Sequence, residues 1–480
     1  MLPTITVDVG TTSVKLCMFD AGGSLRASAR ISTPTQTDAW GDVYDMDALT
    51  AAIEGFIRGL DPKHRAVAQR IAITGVGESG GLVRSDLSLA SPMILWHDHR
   101  GADYLAHLTA IERQEIYQVT GLPVNANYGL SKVAWAVANA DAAEGAQWLN
   151  IAEYLAARMT GRRWSEYSLA SRTMALDLDG RAWSPEICAL VGLDVDVFPP
   201  LRTAVDGFAI TAEFAREVGL PRDLQVHVAG HDHMVGAVGA ELSRGELLNS
   251  TGTTEGLLFL RDMPSVDEHS EGSKLSNGIS CAGSDFTLFA SIPTGGSAFA
   301  TLQSMLGITA SQLSDCISLL HERYLAGAVD LRDIPLVLPQ FRGSPPPTKR
   351  ASARGVIANL RPDTTCEDIV FGCFLGLALQ FEDVFELFRT RPDRLKVIGP
   401  ASANPLWLQL KADLLGIPLS ASRFPEVVSR GAQSLASGEQ GDWDSCEPAD
   451  VLVDPGRHAM LSEWRDDIRP QWEYLKDVPA

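Results

Sequence analysis

The chain has 480 residues, 45% of them hydrophobic and 21% charged, which allows a large core and, at about 150 residues per domain, two or three domains. Asp and Glu number 60 against 40 Lys and Arg, a net charge of −20. That balance excludes a sequence-independent hold on nucleic acid or anionic lipid, so a bound phosphate has to be held locally by backbone N–H groups, one or two lysines and a metal.

Met1-Leu2-Pro3-Thr4 runs into an apolar stretch with no basic residues ahead of it and does not read as a signal peptide. Thr4 to Val9 and Val14 to Phe19 are predicted strands, joined by a turn at Gly10-Thr11-Thr12-Ser13. Asp47 to Gly59 is a predicted helix, with Leu49, Ile53, Phe56 and Ile57 at helical spacing. Short strands follow at Ile71 to Gly75, Leu82-Val83 and Met93 to Trp96. Helices are expected at Asp98 to Leu108, Glu112 to Thr120, Leu130 to Asn139 and Glu153 to Thr160. Gln225 to Ala229 is a strand leading into Gly230-His231-Asp232-His233. Glu246 to Thr251 and Gly256 to Leu260 then repeat the opening pattern around Gly252-Thr253-Thr254.

Loops are expected at 262 to 277 and at 341 to 353, the latter holding Pro345-Pro346-Pro347. The strongest helix signal is Ile369 to Phe388; its apolar run ends at Glu382, short of the roughly 20 residues a membrane helix needs. A strand at Leu395 to Ile398 and a helix at Pro405 to Leu415 complete the pattern. The seven cysteines are an odd number without a C-x-x-C pair, which argues against a disulfide framework and for a reduced, cytoplasmic setting.

Gly252 lies 242 residues after Gly10, about half the chain, and both sit between similar strands. This reads as an internal duplication with its boundary just after Gly239, giving domains at 1–240 and 241–480. A Gly-Thr-Thr turn offers N–H and hydroxyl groups to phosphate oxygens. Asp8 beside the first turn suits Mg²⁺, and Lys15 in the return strand can meet a phosphate as a point charge. One copy alone reads as an ordinary hairpin with a surface lysine; two in equivalent places favour phosphate. No G-x-x-x-x-G-K-[ST] is present, so a P-loop is excluded.

His97-Asp98-His99 and His231-Asp232-His233 raise a zinc reading and with it a metallohydrolase. On a strand each His-x-His pair would share a face with no evident third ligand, and the first triplet also reads as a helix N-terminus. Asp232 carries the stronger functional reading, because Gly230 before it and Ala237-Val238-Gly239-Ala240 after it let a helix begin close to a ligand.

Taken in order, these segments resemble the FGGY family of carbohydrate kinases, in the sugar kinase, Hsp70 and actin ATPase superfamily. Asp8 to Lys15 is similar to its first phosphate motif, and Ser250 to Thr254 to its second. Trp96 to Arg100 resembles W-x-D-x-R, Ser131 to Trp135 the K-L-x-W segment, and Tyr154 to Gly161 with Ser168 to Thr173 a further paired stretch. Gly230-His231-Asp232 matches the region of the catalytic aspartate, Ala353-Arg354-Gly355 an A-R-G turn, and Val397 to Leu415 the adenosine segment.

The resemblance implies an α/β fold of two ribonuclease-H-like domains around a cleft, and ATP- and Mg²⁺-dependent phosphorylation of a sugar or polyol hydroxyl. Asp232 would be the general base and, with Asp8, a metal ligand. Gly10, Thr11, Thr12, Lys15, Gly252, Thr253, Thr254, Gly399 and Asn404 would hold the nucleotide. Glu78, Ser79, Trp96, Asp98, Arg100 and His233 would contact the substrate, a ketose such as a pentulose or deoxy-hexulose, or a polyol. Neither nucleic acid nor membrane is an expected partner, and a homodimer is left open.

Two segments depart from the pattern. Gly399-Pro400-Ala401 stands where a glycine run is usual, and Pro400 removes an N–H donor while Ala401 narrows the approach of backbone to ligand, which predicts a weaker hold on nucleotide. Ser79 and Gly80 supply small side chains where relatives use large polar ones, which predicts extra room for the acceptor. These departures motivate an alternative, a catalytically weakened member that serves as a ligand-binding or regulatory protein.

Overall fold

The structure, a computed structural model, describes residues 1–141 and 144–478. Two mixed sheets carry the architecture. The first contains β1 (Thr4–Val9), β2 (Ser13–Phe19), β3 (Leu25–Ser32), β4 (Arg70–Gly75), β5 (Gly207–Ala209) and β6 (Gln225–His231), in the order β5-β6-β4-β1-β2-β3. The second contains β7 (Glu246–Thr251), β8 (Glu255–Arg261), β9 (Ser276–Ile279), β10 (Phe286–Ile292), β11 (Arg394–Ile398), β12 (Leu419–Ala421) and β13 (Ala449–Val451), in the order β9-β10-β8-β7-β11-β12-β13.

Burial explains the strand sequences. β1 is central and covered on both faces: Ile5, Val7 and Val9 are fully buried on one, and Thr4, Thr6 and Asp8 are buried on the other. β3 lies on the edge, and its residues alternate between half-buried and exposed. Each sheet shares one plan, an antiparallel hairpin with a third antiparallel strand on one side, two parallel strands on the other and an antiparallel edge strand beyond, and the second sheet adds β9 antiparallel to β10. The two Gly-Thr-Thr turns occupy the same place, at the β1/β2 and β7/β8 connections. Val9 pairs with Val14 but Thr251 with Glu255, so the second turn is one residue tighter.

Five helices bear on the site: α1 (Ile151–Thr160), α2 (Asp232–Gly239), α3 (Cys366–Glu386), α4 (Pro405–Leu415) and α5 (Val427–Ser437). α1 begins with a capping box in which Asn150 and Glu153 satisfy each other's backbone N–H groups. α3 is apolar nearly all round and runs through the second core. α5 comes from the second half of the chain but packs on β1, β4 and β6 of the first sheet, and it crosses α2. One core cluster therefore joins Ala72, Ala229, Met234 and Val235 from the first half to Leu248, Ile398, Val427 and Leu435 from the second.

The helix expected at Asp98 to Leu108 shrinks to Asp103–Ala106. The Asp98 carboxylate accepts the Arg100 N–H at 2.7 Å and sets up a turn in place of a helical start. Met93 to Trp96 forms only isolated bridges, through Ile94 to Val43 and Gly80. Within the loop expected at 262 to 277, Asp267 caps a short helix at Glu268–Gly272 and β9 begins. Among the described residues no helix is long and apolar enough to cross a membrane.

Candidate active site

The carboxyl ends of the parallel strands β1, β4 and β6 meet at one place, where open α/β sheets bind ligands. Asp8 lies near the end of β1, opposite Lys15 on β2 and beside Thr74 on β4. A bulge between Val228 and Gly230 shifts the end of β6, and Asp232 opens α2 immediately after it. The Thr74 hydroxyl donates to the Gly230 carbonyl at 2.7 Å and the His231 N–H donates to Ser168 Oγ at 2.9 Å, which locks this corner in place.

Burial, and next the charge of Asp8, push the Asp232 carboxyl up to about 8; Glu78 adds to the effect and Lys15 opposes it. The Asp232 side chain keeps 23% exposure, so it faces an opening. Lys15 Nζ lies 3.2 Å from Asp8 Oδ2 and 3.7 Å from Glu426 Oε2, the residue just before α5. Burial disfavours the Lys15 ammonium, but the two carboxylates outweigh it and hold its pKa above the usual value. Lys15 is thus tied across the two halves of the chain. His233, expected to meet substrate, bonds Ser250 Oγ through Nδ1 at 2.8 Å and lies 4.9 Å from the Phe289 ring. Burial pushes it down to about 4, so its ring is neutral.

Both turns present exposed tips at Thr12 and at Gly252-Thr253. Gly10 N–H closes the first on Ser13 O at 3.1 Å, and Gly252 N–H closes the second on Thr254 O at 2.9 Å. Trp96 Nε1–H donates to Thr11 Oγ1 at 2.9 Å, which ties the W-x-D-x-R segment to the first turn. A loop that sequence reasoning missed braces the second turn: Gly295 and Ser297 N–H groups donate to Thr253 O, and Gly296 N–H to Gly252 O. Its signal was Gly295-Gly296-Ser297 between an apolar strand and a helix start. Ser297 Oγ is buried there without a partner.

The residues expected around adenosine and acceptor are placed differently. Gly399 has φ +96°, and a Cβ there would lie 2.3 Å from Thr251 O, so the glycine lets β11 leave the sheet past the second turn. The Asn404 side chain caps α4 through Oδ1, which accepts the Trp407 N–H at 3.0 Å, while its Nδ2 is buried without a partner. Ser79 is 1% exposed and lies 3.3 Å from the Tyr44 hydroxyl, turned into the protein. The expected extra room is filled. A Cβ on Gly80 would meet the Trp148 ring at 2.6 Å, and one on Gly77 would meet His231 and Arg172 at 2.3 and 2.7 Å. Arg100 and Asp98 serve each other: the guanidinium, 1% exposed, bonds Asp98 at 2.6 Å and Asp38 at 2.8 Å under the Trp135 ring. Glu78 accepts from Arg172 Nε at 3.0 Å.

Asp8 and Asp232 offer hard oxygen donors whose mutual repulsion a divalent cation would relieve, a donor set that fits Mg²⁺ bound jointly with phosphate oxygens. Of the histidines in the two triplets, His99 bonds Asn127 at 2.6 Å, His233 bonds Ser250 Oγ, and His231 is buried with its Nε2 3.6 Å from Asp232 Oδ1. Among the described residues no group of three or more His, Cys, Asp or Glu side chains is arranged to hold a metal ion.

The model of the FGGY family of carbohydrate kinases, N-terminal domain, matches residues 4–239, and that of its C-terminal domain matches 247–437. Glycerol kinase of Myxococcus xanthus (strain DK1622) is 28% identical over 473 residues, covering 92% of each chain. Among solved structures, gluconate kinase from Lactobacillus acidophilus superposes with a TM-score of 0.86 at 19% identity over 99% of this chain and 98% of that one. Plasmodium falciparum glycerol kinase with ADP gives 0.83 at 19% identity over 98% of both chains.

Proposed function

The chain belongs to the FGGY family of carbohydrate kinases, and on that premise we propose that it transfers the γ-phosphoryl group of ATP to a hydroxyl of a sugar or polyol acceptor beside Asp232. One observation carries this reading. Asp232 opens α2 in the field of Asp8 from the first hairpin, and its neighbour His233 is bonded to Ser250 of the second.

In this reading Asp232 takes the proton of the attacking hydroxyl. Burial and the charge of Asp8 raise the pKa of its carboxyl, which makes the carboxylate a stronger base than a free one. Asp8 and Asp232 are the carboxylates that would hold Mg²⁺, which supplies charge neutralisation at the phosphates when bound. The two turns give N–H and hydroxyl donors to the β- and γ-phosphates, with Ser297 Oγ beside the second. Positioning and charge stabilisation supply the rate, since phosphoryl transfer asks for little covalent participation by the protein.

The alternative of a weakened ligand-binding member loses one of its two motives, because Trp148 fills the space beside Gly80 and Ser79 is buried against Tyr44, while the Pro400-Ala401 departure still stands. The test is ADP release from Mg-ATP over a panel of ketoses, alditols and sugar acids, with Asp232→Ala beside the native chain. Turnover is expected to fall by about 100-fold or more while ATP still raises the melting temperature as before. Undiminished acceptor-dependent ADP release by the variant would refute the assignment.

A further inference from the structure

The second Gly-Thr-Thr turn is tied down by an ion pair that the phosphoryl-transfer scheme does not use. Glu255 opens β8 immediately after the turn and pairs with Thr251 of β7. Strand alternation puts Asn249, Thr251, Glu255 and Leu257 on one face of this hairpin and Ser250 on the other. α4 lays Lys411 on the first face. Its ammonium donates to Asn249 Oδ1 at 2.7 Å and to Glu255 Oε1. The Asn249 amide in turn donates to Gly256 O at 3.3 Å, so the three side chains form one network across β7 and β8. From the opposite face His233, next to Asp232 in α2, bonds Ser250 Oγ at 2.8 Å. The hairpin that carries the turn is thus gripped between the helix of the base and α4.

The Lys411 and Glu255 side chains are 1% and 0% exposed and lie 156 residues apart in the chain. The Lys411 ammonium stands 4.1 Å from the Phe381 ring of α3 and 4.7 Å from the Trp407 ring. Burial pushes its pKa down and Glu255 opposes the shift. Glu255 Oε2 is buried with no partner. Taking two charges out of water costs about as much as their attraction returns, so this pair adds little stability over an apolar pair of the same size. Apolar packing of α4 on the sheet exists already, in the cluster of Leu247, Leu257, Val397, Leu408 and Ala412. Apolar contacts leave the register of helix on hairpin loosely set. A lysine bonded to one oxygen on each strand fixes it.

We propose that Glu255 and Lys411 are positioning residues for phosphoryl transfer: their pair holds the second turn against α4, in the register at which its N–H and hydroxyl groups receive the terminal phosphates of the nucleotide. The proposal rests on the kinase reading for the ligand of the turn and on the gripped hairpin for the role of the pair.

The test is the double variant Glu255→Gln/Lys411→Met in the full chain, which removes both charges at nearly constant volume. It is expected to melt at or above the native temperature, since neutral replacements escape the desolvation of two ions. Calorimetry is nevertheless expected to show Mg-ATP bound about tenfold more weakly, with AMP affinity within about twofold of native. In coupled assays kcat is expected to fall about tenfold while the acceptor KM holds. A role in stability alone predicts the reverse, a lower melting temperature with native ATP affinity, and that result would overturn the proposal. An equal loss of AMP affinity would overturn it as well, by placing the damage in α4. If the double variant does not fold, Asn249→Ala decides, because it keeps both charges and cuts only the tie to β7. That variant is expected to weaken Mg-ATP about threefold and to spare AMP; native ATP affinity there would again overturn the proposal. ATP binding by the native chain without ADP release for any acceptor would sink the kinase reading alone, because the link is read from nucleotide binding.

Discussion

Asp232 sits where the fold favours the acid form of a group that the chemistry needs as a base. Its carboxyl is raised from an ordinary value near 3.8 to about 8. A group whose folded pKa is raised contributes stability that is fully present below about pH 4 and is lost as pH climbs through about 8. Asp232→Asn removes that loss. Its melting temperature is expected to match the native chain near pH 4, to rise above it between pH 4 and 8, and to stay above it beyond, by about 2–4 °C. Melting curves across that range check this, and a constant offset between the two proteins would assign the difference to packing. At the same scale, Lys15 bridges Asp8 and Glu426. The sequence reading named Lys15 and Asp8, since both flank a recognisable turn. It missed Glu426, which only the packing of a distant helix delivers.

Among the elements, the crossing of α2 and α5 sets where Asp232 stands. A Cβ on Gly431 would lie 2.2 Å from Val235 O, and one on Gly239 would lie 2.1 Å from Val427 O. The two backbones touch, and neither residue can grow without parting them. Gly431→Ala is expected to cost about 1–3 kcal/mol and to lower turnover more than ATP affinity, because it shifts the helix that carries the base. Denaturant unfolding and single-turnover kinetics read the two effects; an Ala variant with native stability would show that the helices slide freely. This crossing left no mark in the sequence, where Gly239 and Gly431 look like ordinary small residues. The hairpins were legible because one pattern, strand, Gly-Thr-Thr, strand, occurs twice at half-chain spacing. The helix start at Asp98 was misread because an aspartate that caps a helix and one that closes a short turn look alike. The supposed room at Gly80 was misread because Trp148, which fills it, is far away in sequence.

At the scale of the molecule, the duplication visible in the sequence does not give two self-sufficient halves. α5 belongs to the second half yet covers β1, β4 and β6 of the first. Its Gln433 amide donates to Leu2 O at 2.9 Å and Asp20 O at 2.8 Å, and the Arg430 guanidinium donates to Gly23 O at 3.0 Å. Removing it would uncover the apolar face formed by Ala72, Ala229 and Val235 and leave those carbonyls without their partners. The expected division at residue 240 thus cuts the chain between its sheets but through its shared core. Residues 1–240 expressed alone are expected to aggregate or to lack a cooperative melting transition, and to regain solubility when 241–480 is supplied as a separate chain. Size-exclusion chromatography and calorimetry of the fragment decide the matter: a monomeric 1–240 with a sharp transition would mean that the first sheet closes its own core, and that α5 serves only to align the two halves around the cleft.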